Sequence, residues 1–238
     1  MKVQCVVALL SGLGSVTLGA APAPPAGLFY EQTTQTTVDG RAADPSGRVH
    51  VWFAGAKLRM EHLSASGKAE AVLIVRLDRG KAYRLDPATT TTLESDLERE
   101  QAESQMELGL AGDVVGAAVH TTRLQGTRQI AGYVCQGYRL SSDAGHMDLW
   151  LSEAAPARLE SFAGFFEWLG VDQSLEPIMD AVKRLPGFPL ETRSQMNVAG
   201  RIVETRSTIL ALRAEAPDAA LFEPPASYRV KREGTDTP

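Results

Sequence analysis

Whatever chemistry this chain performs must draw on a small stock of reactive side chains. Its 238 residues hold four histidines, His50, His62, His120 and His146, and two cysteines, Cys5 and Cys135. Zinc sites favour histidines four apart on a helix or tight Cys/His clusters, and these four fall on separate expected strands with neither spacing. HMD at 146–148 puts His146 and Asp148 on one strand face. A metal tolerates that pairing, and solvent-facing residues show it routinely. Glu61 and His62 are adjacent in a strand, so they point to opposite faces and do not act together. Ser152-Glu153 lacks the glycines of a nucleophile elbow. Gly109, Gly112 and Gly116 punctuate GLAGDVVGAAV without the Gly-Lys-Ser/Thr ending of a phosphate loop. Nucleophile, base and oxyanion donors do not assemble, so the expectation is a protein that is not an enzyme and uses no cofactor or metal. Cys135 reads as a small buried strand residue.

What remains is contact chemistry. FAGFFEWLG (162–170) gathers three of the seven Phe and one of the three Trp into nine residues. A core helix, a helix docking on a membrane or partner, and a lid over an apolar ligand all suit it. The elements around it must distinguish them.

The first twenty residues, MKVQCVVALLSGLGSVTLGA, set Lys2 before an apolar run from Val3 to Leu10 and end in small residues. That is the layout of a secretory signal peptide, with an apolar core too short to span a bilayer. Cleavage is expected near Ala20, giving a periplasmic or secreted chain with no membrane span. Removing 1–20 takes away Lys2 and no acid, moving the formal charge from -5 to -6 and leaving Cys135 as the lone cysteine. No intramolecular disulfide then forms, and stability must come from a hydrophobic core. Interspersed acids and bases argue against a nucleic-acid surface.

Residues 21–27, APAPPAG, form a spacer that cannot be a regular helix. From 28 to 232 one domain is expected, followed by a disordered tail at 233–238. Short β-compatible runs at 28–38, 48–54, 57–63, 72–77 and 81–85, joined by short turns, read as an antiparallel meander. VLIVRL at 72–77 is apolar enough for a strand buried on both faces. Ser95-x-x-Glu98 reads as a capping box opening a surface helix through DLEREQAESQMEL. Strands resume at 120–126, 133–140 and 146–151. Two helices follow, over 157–169 with Leu159, Phe162, Phe166 and Leu169 on one face, and over 174–185 with Leu175, Ile178, Met179, Val182 and Leu185 as a stripe behind Ser174 as N-cap. Strands at 188–198 and 201–212, a turn at 217–222 and a strand near 228–231 complete the pattern. The inventory suits a mainly β (α+β) fold: a single curved antiparallel sheet as a half-open barrel, with the helical pair (about 157–185) on its concave face as lid or plug.

Three stretches resemble a known family. GRVHVWFAGAKLRMEH, LIVRLDRGKAYRLDP and APDAALFEPPASYRV are similar in order and turn chemistry to the periplasmic lipoprotein-carrier (LolA-like) superfamily. RQIAGYVCQGYRL, HMDLWLSEAAP and GFPLETRSQMNVAG look closer to its uncharacterised exported bacterial members. The resemblance implies a twisted sheet around an apolar cavity, helices as lid, and binding of lipid acyl chains in the periplasm. The amphipathic helix that precedes the carriers' first strand has no counterpart in APAPPAG, and Arg59 is the nearest candidate for their basic residue. The expected function is therefore an exported, non-enzymatic binding protein for a lipid or other apolar ligand. The expected lining is Val49, Val51, Phe53, Leu58, Met60, Met147, Leu149, Phe162, Phe166, Leu175, Met179 and Val182. The alternative is a periplasmic sensor or assembly module that binds an envelope protein through the same fold.

Overall fold

The computed structural model describes residues 27–43, 47–98, 118–143, 145–157, 162–169, 176–198 and 200–232. Its strands are β1 (Leu28–Val38), β2 (Arg41–Ala42), β3 (Gly47–Ala54), β4 (Lys57–Leu63), β5 (Ala69–Arg76), β6 (Lys81–Asp86), β7 (Thr91–Asp96), β8 (His120–Ile130), β9 (Tyr133–Ser142), β10 (Gly145–Ser152), β11 (Phe188–Val198), β12 (Arg201–Ala214) and β13 (Arg229–Arg232). Among the described residues between β10 and β11 are two helices, α1 (Ala163–Leu169) and α2 (Glu176–Lys183).

All thirteen strands join one sheet, ordered β13-β7-β6-β5-β4-β3-β1-β12-β11-β10-β9-β8 with β2 paired to β1. The sheet is curved and open, with β13 and β8 as its ends, so the fold is mostly β without a closed barrel. Local chemistry fixes the register. Asp39 and Gly40 both take positive φ, 51° and 75°, as a tight hairpin turn requires. The Asp39 carboxylate then accepts from the Ile202 amide at 2.9 Å and from Arg201 Nε at 3.0 Å, tying that turn to β12.

Alternation along the strands makes two chemically distinct faces. The inner face carries Leu28, Val51, Phe53, Leu58, Met60, Val75, Ala82 and Leu149, which form one buried cluster with Phe162, Phe165, Met179 and Val182. The outer face of the β3–β6 region carries a second, smaller cluster of Val72, Ile74, Tyr83 and Leu85. A C-terminal strap covers it. Asp218 caps a 3₁₀ turn (Ala219–Phe222) by accepting from the Ala220 amide at 2.9 Å, and this turn drives Phe222 into that cluster. The strap is clamped by Arg76, which is 3 % exposed, pairs with Asp78 and Glu223 and donates to the Phe222 carbonyl. Residues 72–75 are thus apolar because both of their faces are covered.

The sequence-based strands at 28–38, 57–63 and 188–198 coincide with β1, β4 and β11. Three expectations need correction. Ser95 is not the cap of the expected helix: it lies in β7 opposite Ala82 and is buried, and helical structure begins just after it at Leu97–Glu98. Pairing with β6 carries the strand through Asp96, past the expected cap. The expected helix beyond residue 98 lies outside the described residues. The sheet is also not wholly antiparallel, since β13 pairs with β7 in parallel. The strap explains this: it runs back across the outer face and delivers the chain to the β7 edge in the same direction. The final correction is that Leu77 leaves the fourth long strand for a 3₁₀ turn (Leu77–Arg79), closed by Gly80 at φ 63°.

Candidate apolar binding site

The helices meet the sheet through aromatic rings. Phe53 on β3 lies 4.5 Å from Phe162 and 5.4 Å from Phe165, centroid to centroid. Phe162 continues the contact to Phe188 at 6.1 Å. Trp168 of α1 donates its indole N–H to the Leu97 carbonyl at 3.1 Å, tethering that helix over the β7 end of the inner face. Met179 and Val182 of α2 are buried in the same cluster.

Nine of the twelve expected lining residues belong to this single layer: Val49, Val51, Phe53, Leu58, Met60, Leu149, Phe162, Met179 and Val182. Met147 packs against it half-buried. Phe166 is in α1 with no side-chain position described, and Leu175 lies outside the described residues. The layer is closed, with Met60 and Val51 at 0 % exposure.

Space appears at one end. A cavity of about 20 Å³ is lined by Val119, Leu140, Met147, Ile178, Ser194 and Met196 together with residues of the β9–β10 turn. That holds about one water. It adjoins an open cleft of about 420 Å³ beside Arg139, Ser141, Asp143, His146, Gln195 and Asn197. Ile178 and Met147 connect the cavity to the apolar layer, because both pack against that cluster.

Sequence reasoning missed a polar continuation of the inner face. Along β1 the inward positions run Leu28, Tyr30, Gln32, Thr34 and Thr36, changing from apolar to polar halfway. Gln32 sits between Val49 and Ile209. Thr34 pairs with Ser207, and Ser207 with Thr192. Gln32 donates its Nε2 to Thr34 Oγ1 at 3.1 Å, and the Thr34 and Ser207 hydroxyls lie 3.0 Å apart. Gln32, Ser207 and Thr192 are buried. The break in alternating hydrophobicity within LFYEQTTQTTV was the legible signal.

The histidines do not converge. His50 stacks edge-on with Phe29 and Trp52 on the outer face, near Glu31. His62 is on the inner face opposite Val49, and burial lowers its pKa, favouring the neutral ring. Glu61 faces away from it and pairs with Arg59. Asp148, next to His146 in the HMD stretch, is held by Arg139 through contacts of 2.6 and 2.7 Å, which keep its carboxyl below the usual range. Among the described residues no three His, Cys, Asp or Glu side chains group as a metal site. Cys135 is fully buried, and burial pushes its thiol up to about 11, so it is not a thiolate at neutral pH. No described helix is long and apolar enough to cross a membrane.

A family model described as "Domain of unknown function (DUF4412)" matches residues 36–228. No curated protein matches the chain. Among solved structures, it is similar to an uncharacterised conserved protein from Thermus thermophilus, at 10% identity and TM-score 0.45, covering 88% of this chain and 91% of that one. A PNGF-II structure aligns at 12% identity and TM-score 0.36 over 87% of this chain and 31% of that chain. A DUF1329 family protein from Desulfovibrio piger ATCC 29098 aligns at 8% identity and TM-score 0.24, covering 84% and 90%.

Proposed function

Because the chain belongs to the DUF4412 family, whose description assigns no activity, we propose a function from its geometry: an exported, non-enzymatic protein that holds an apolar chain between its sheet and its helices. The manner is that of the LolA-like periplasmic carriers, with the helical pair acting as lid. One observation carries this reading. The apolar layer under α1 and α2 runs without interruption to a cavity at its edge, through Met147 and Ile178.

In the ligand-free protein Phe162, Met179 and Val182 occupy the place of the ligand. An entering chain lifts them and takes over their contacts with Phe53, Met60 and Leu149. Each buried methylene contributes about 0.8 kcal/mol. On this reading the gain offsets the displaced side chains only when the chain is long, which favours acyl-length ligands over small apolar molecules. Short helices with few turns suit a cover that opens, because local opening costs least where few hydrogen bonds are broken.

The test is native mass spectrometry of protein secreted into a bacterial periplasm and purified without detergent, followed by solvent extraction. The reading expects a lipid or other apolar adduct in wild type and its loss in Ile178→Asp, a half-buried position at the cavity mouth. A bare mass for wild type, under conditions where a known lipid carrier keeps its cargo, overturns it.

A second reading has its own observation. The β8 edge is exposed at nearly every position from His120 to Gln129, and an exposed edge is a template for strand addition by an envelope protein. A bare wild-type mass together with a co-purifying protein that is lost in Thr122→Pro, on the exposed β8 edge, would favour this module instead.

A further inference from the structure

Among the described residues, two buried polar atoms on the inner face have no hydrogen-bond partner, Gln32 Oε1 and Thr192 Oγ1, while the Thr37 and Thr92 hydroxyls are unpartnered elsewhere in the sheet. Gln32 is 0 % exposed and Thr192 6 %. Both belong to the strip that crosses three adjacent strands, β1, β12 and β11, through Thr34 and Ser207. Buried polar atoms are nearly always satisfied, so two orphans on one strip ask for an explanation. From them we infer that the strip is a head-group site, and that the ligand is a neutral amphiphile whose head bears hydroxyls, such as a monoacylglycerol. This rests on the apolar-chain reading above and adds the polar end of the same ligand.

The strip's place in the sheet supports this. It lies one step inward from Ser194 and Met147, which line the cavity, and Thr192 stands opposite Leu149 of the apolar layer. A ligand entering at that mouth lays its chain on the apolar rows and leaves its head over Gln32, Ser207 and Thr192. Three strands at the usual spacing span about 10 Å, which suits a head with more than one hydroxyl.

The chemistry of the strip selects the head. Gln32 Oε1 accepts a hydrogen bond, which a carboxylate cannot supply and a hydroxyl can. With the amide turned over, the free atom becomes a donor, and a hydroxyl satisfies that as well. The strip itself carries no cation, and His62, across Val49 from Gln32, is favoured neutral by burial. An anionic head would therefore be buried without a counter-charge, which is strongly unfavourable.

The experiment uses the mature full-length chain and displacement of the uncharged dye N-phenyl-1-naphthylamine by 1-decanoylglycerol or methyl decanoate, which are both neutral and carry equal acyl chains, the methyl ester lacking the hydroxyls. One recovered charge-neutral hydrogen bond corresponds to roughly a tenfold change in affinity, so decanoylglycerol should displace the dye at roughly tenfold lower concentration. That ratio should collapse towards one in Gln32→Leu and Thr192→Val and survive in Thr192→Ser, which keeps the hydroxyl. Equal potency of the two ligands on wild type, or a preference that persists in both apolar variants, overturns the head-group site while leaving the apolar-chain reading standing. Failure of wild type to bind the dye and both ligands overturns the two together.

Discussion

Gly137 shows how narrowly single positions are set in this sheet. A Cβ added there would meet the Trp150 ring at 2.9 Å, so the indole lies flat over the bare backbone of the neighbouring strand. On its other side the Arg128 guanidinium stacks 4.0 Å from the ring centroid, and Arg128 in turn pairs with the buried Glu191. Gly137→Ala must push the ring out of this stack. The expected cost is about 1–3 kcal/mol, read as a lower urea midpoint with a change in tryptophan fluorescence. Arg76 is a second such position, and it carries a pH dependence. Its hydrogen bonds hold Asp78 below the ordinary 3.8, while at Glu223 burial pulls the carboxyl up and Arg76 and Arg79 outweigh it, holding it below the ordinary 4.5. Lowered folded values mean that this stabilisation is complete above the unfolded values and lost as pH falls through the folded ones. Thermal midpoints should therefore be level with respect to this clamp above about pH 5 and fall below about 4. The Asp78→Asn, Glu223→Gln double variant should be less stable than wild type at neutral pH, with the gap closing in acid. A gap that stays constant down to about pH 3 would show that the clamp does not titrate.

At the scale of elements, the strap at 215–228 defines what the strands alone cannot do. Val72, Ile74, Tyr83 and Leu85 would form an exposed apolar patch on the outer face without Phe222. Phe222→Ala should destabilise the domain by about 3–5 kcal/mol and raise binding of a hydrophobic dye, a signature that an inner-face substitution of similar cost would share only on unfolding. The strap's residues were readable in APDAALFEPPASYRV as a resemblance, but their purpose was not, because nothing local says which face a returning segment covers. Most strands were legible for the opposite reason: alternation and turn residues are local, and Asp39-Gly40 and Asp78-Arg79-Gly80 announce their turns. β7 was not legible. Thr-rich sequence before Ser95 is compatible with loop or strand, and only its pairing with β6 decides. The apolar half of the candidate site followed from periodicity in the strands from 49 to 60 and in 178–182. Its polar half did not, since Gln32 and Thr192 are far apart in the chain and meet on one face only through β12.

For the whole molecule, the decisive property is whether the sheet and its helical cover behave as one unit. The sheet pairs every interior strand on both sides, whereas the described spans of α1 and α2 are seven and eight residues, with the Trp168 indole as a hydrogen-bonded tether. A lid predicts two tiers of stability in such a body, a plug one. Amide hydrogen exchange separates them. Amides of 163–169 and 176–183 should exchange through openings well below the global unfolding free energy, while those of β3, β4 and β5 exchange only on global unfolding. Adding 1-decanoylglycerol should raise the thermal midpoint and speed exchange in the two helices, because a ligand that takes their place on Phe53 and Met60 leaves them with fewer contacts. Helices that exchange with the sheet, and that are indifferent to every apolar ligand, would make FAGFFEWLG a fixed part of the core. The functional surface would then have to be sought on the exposed β8 edge.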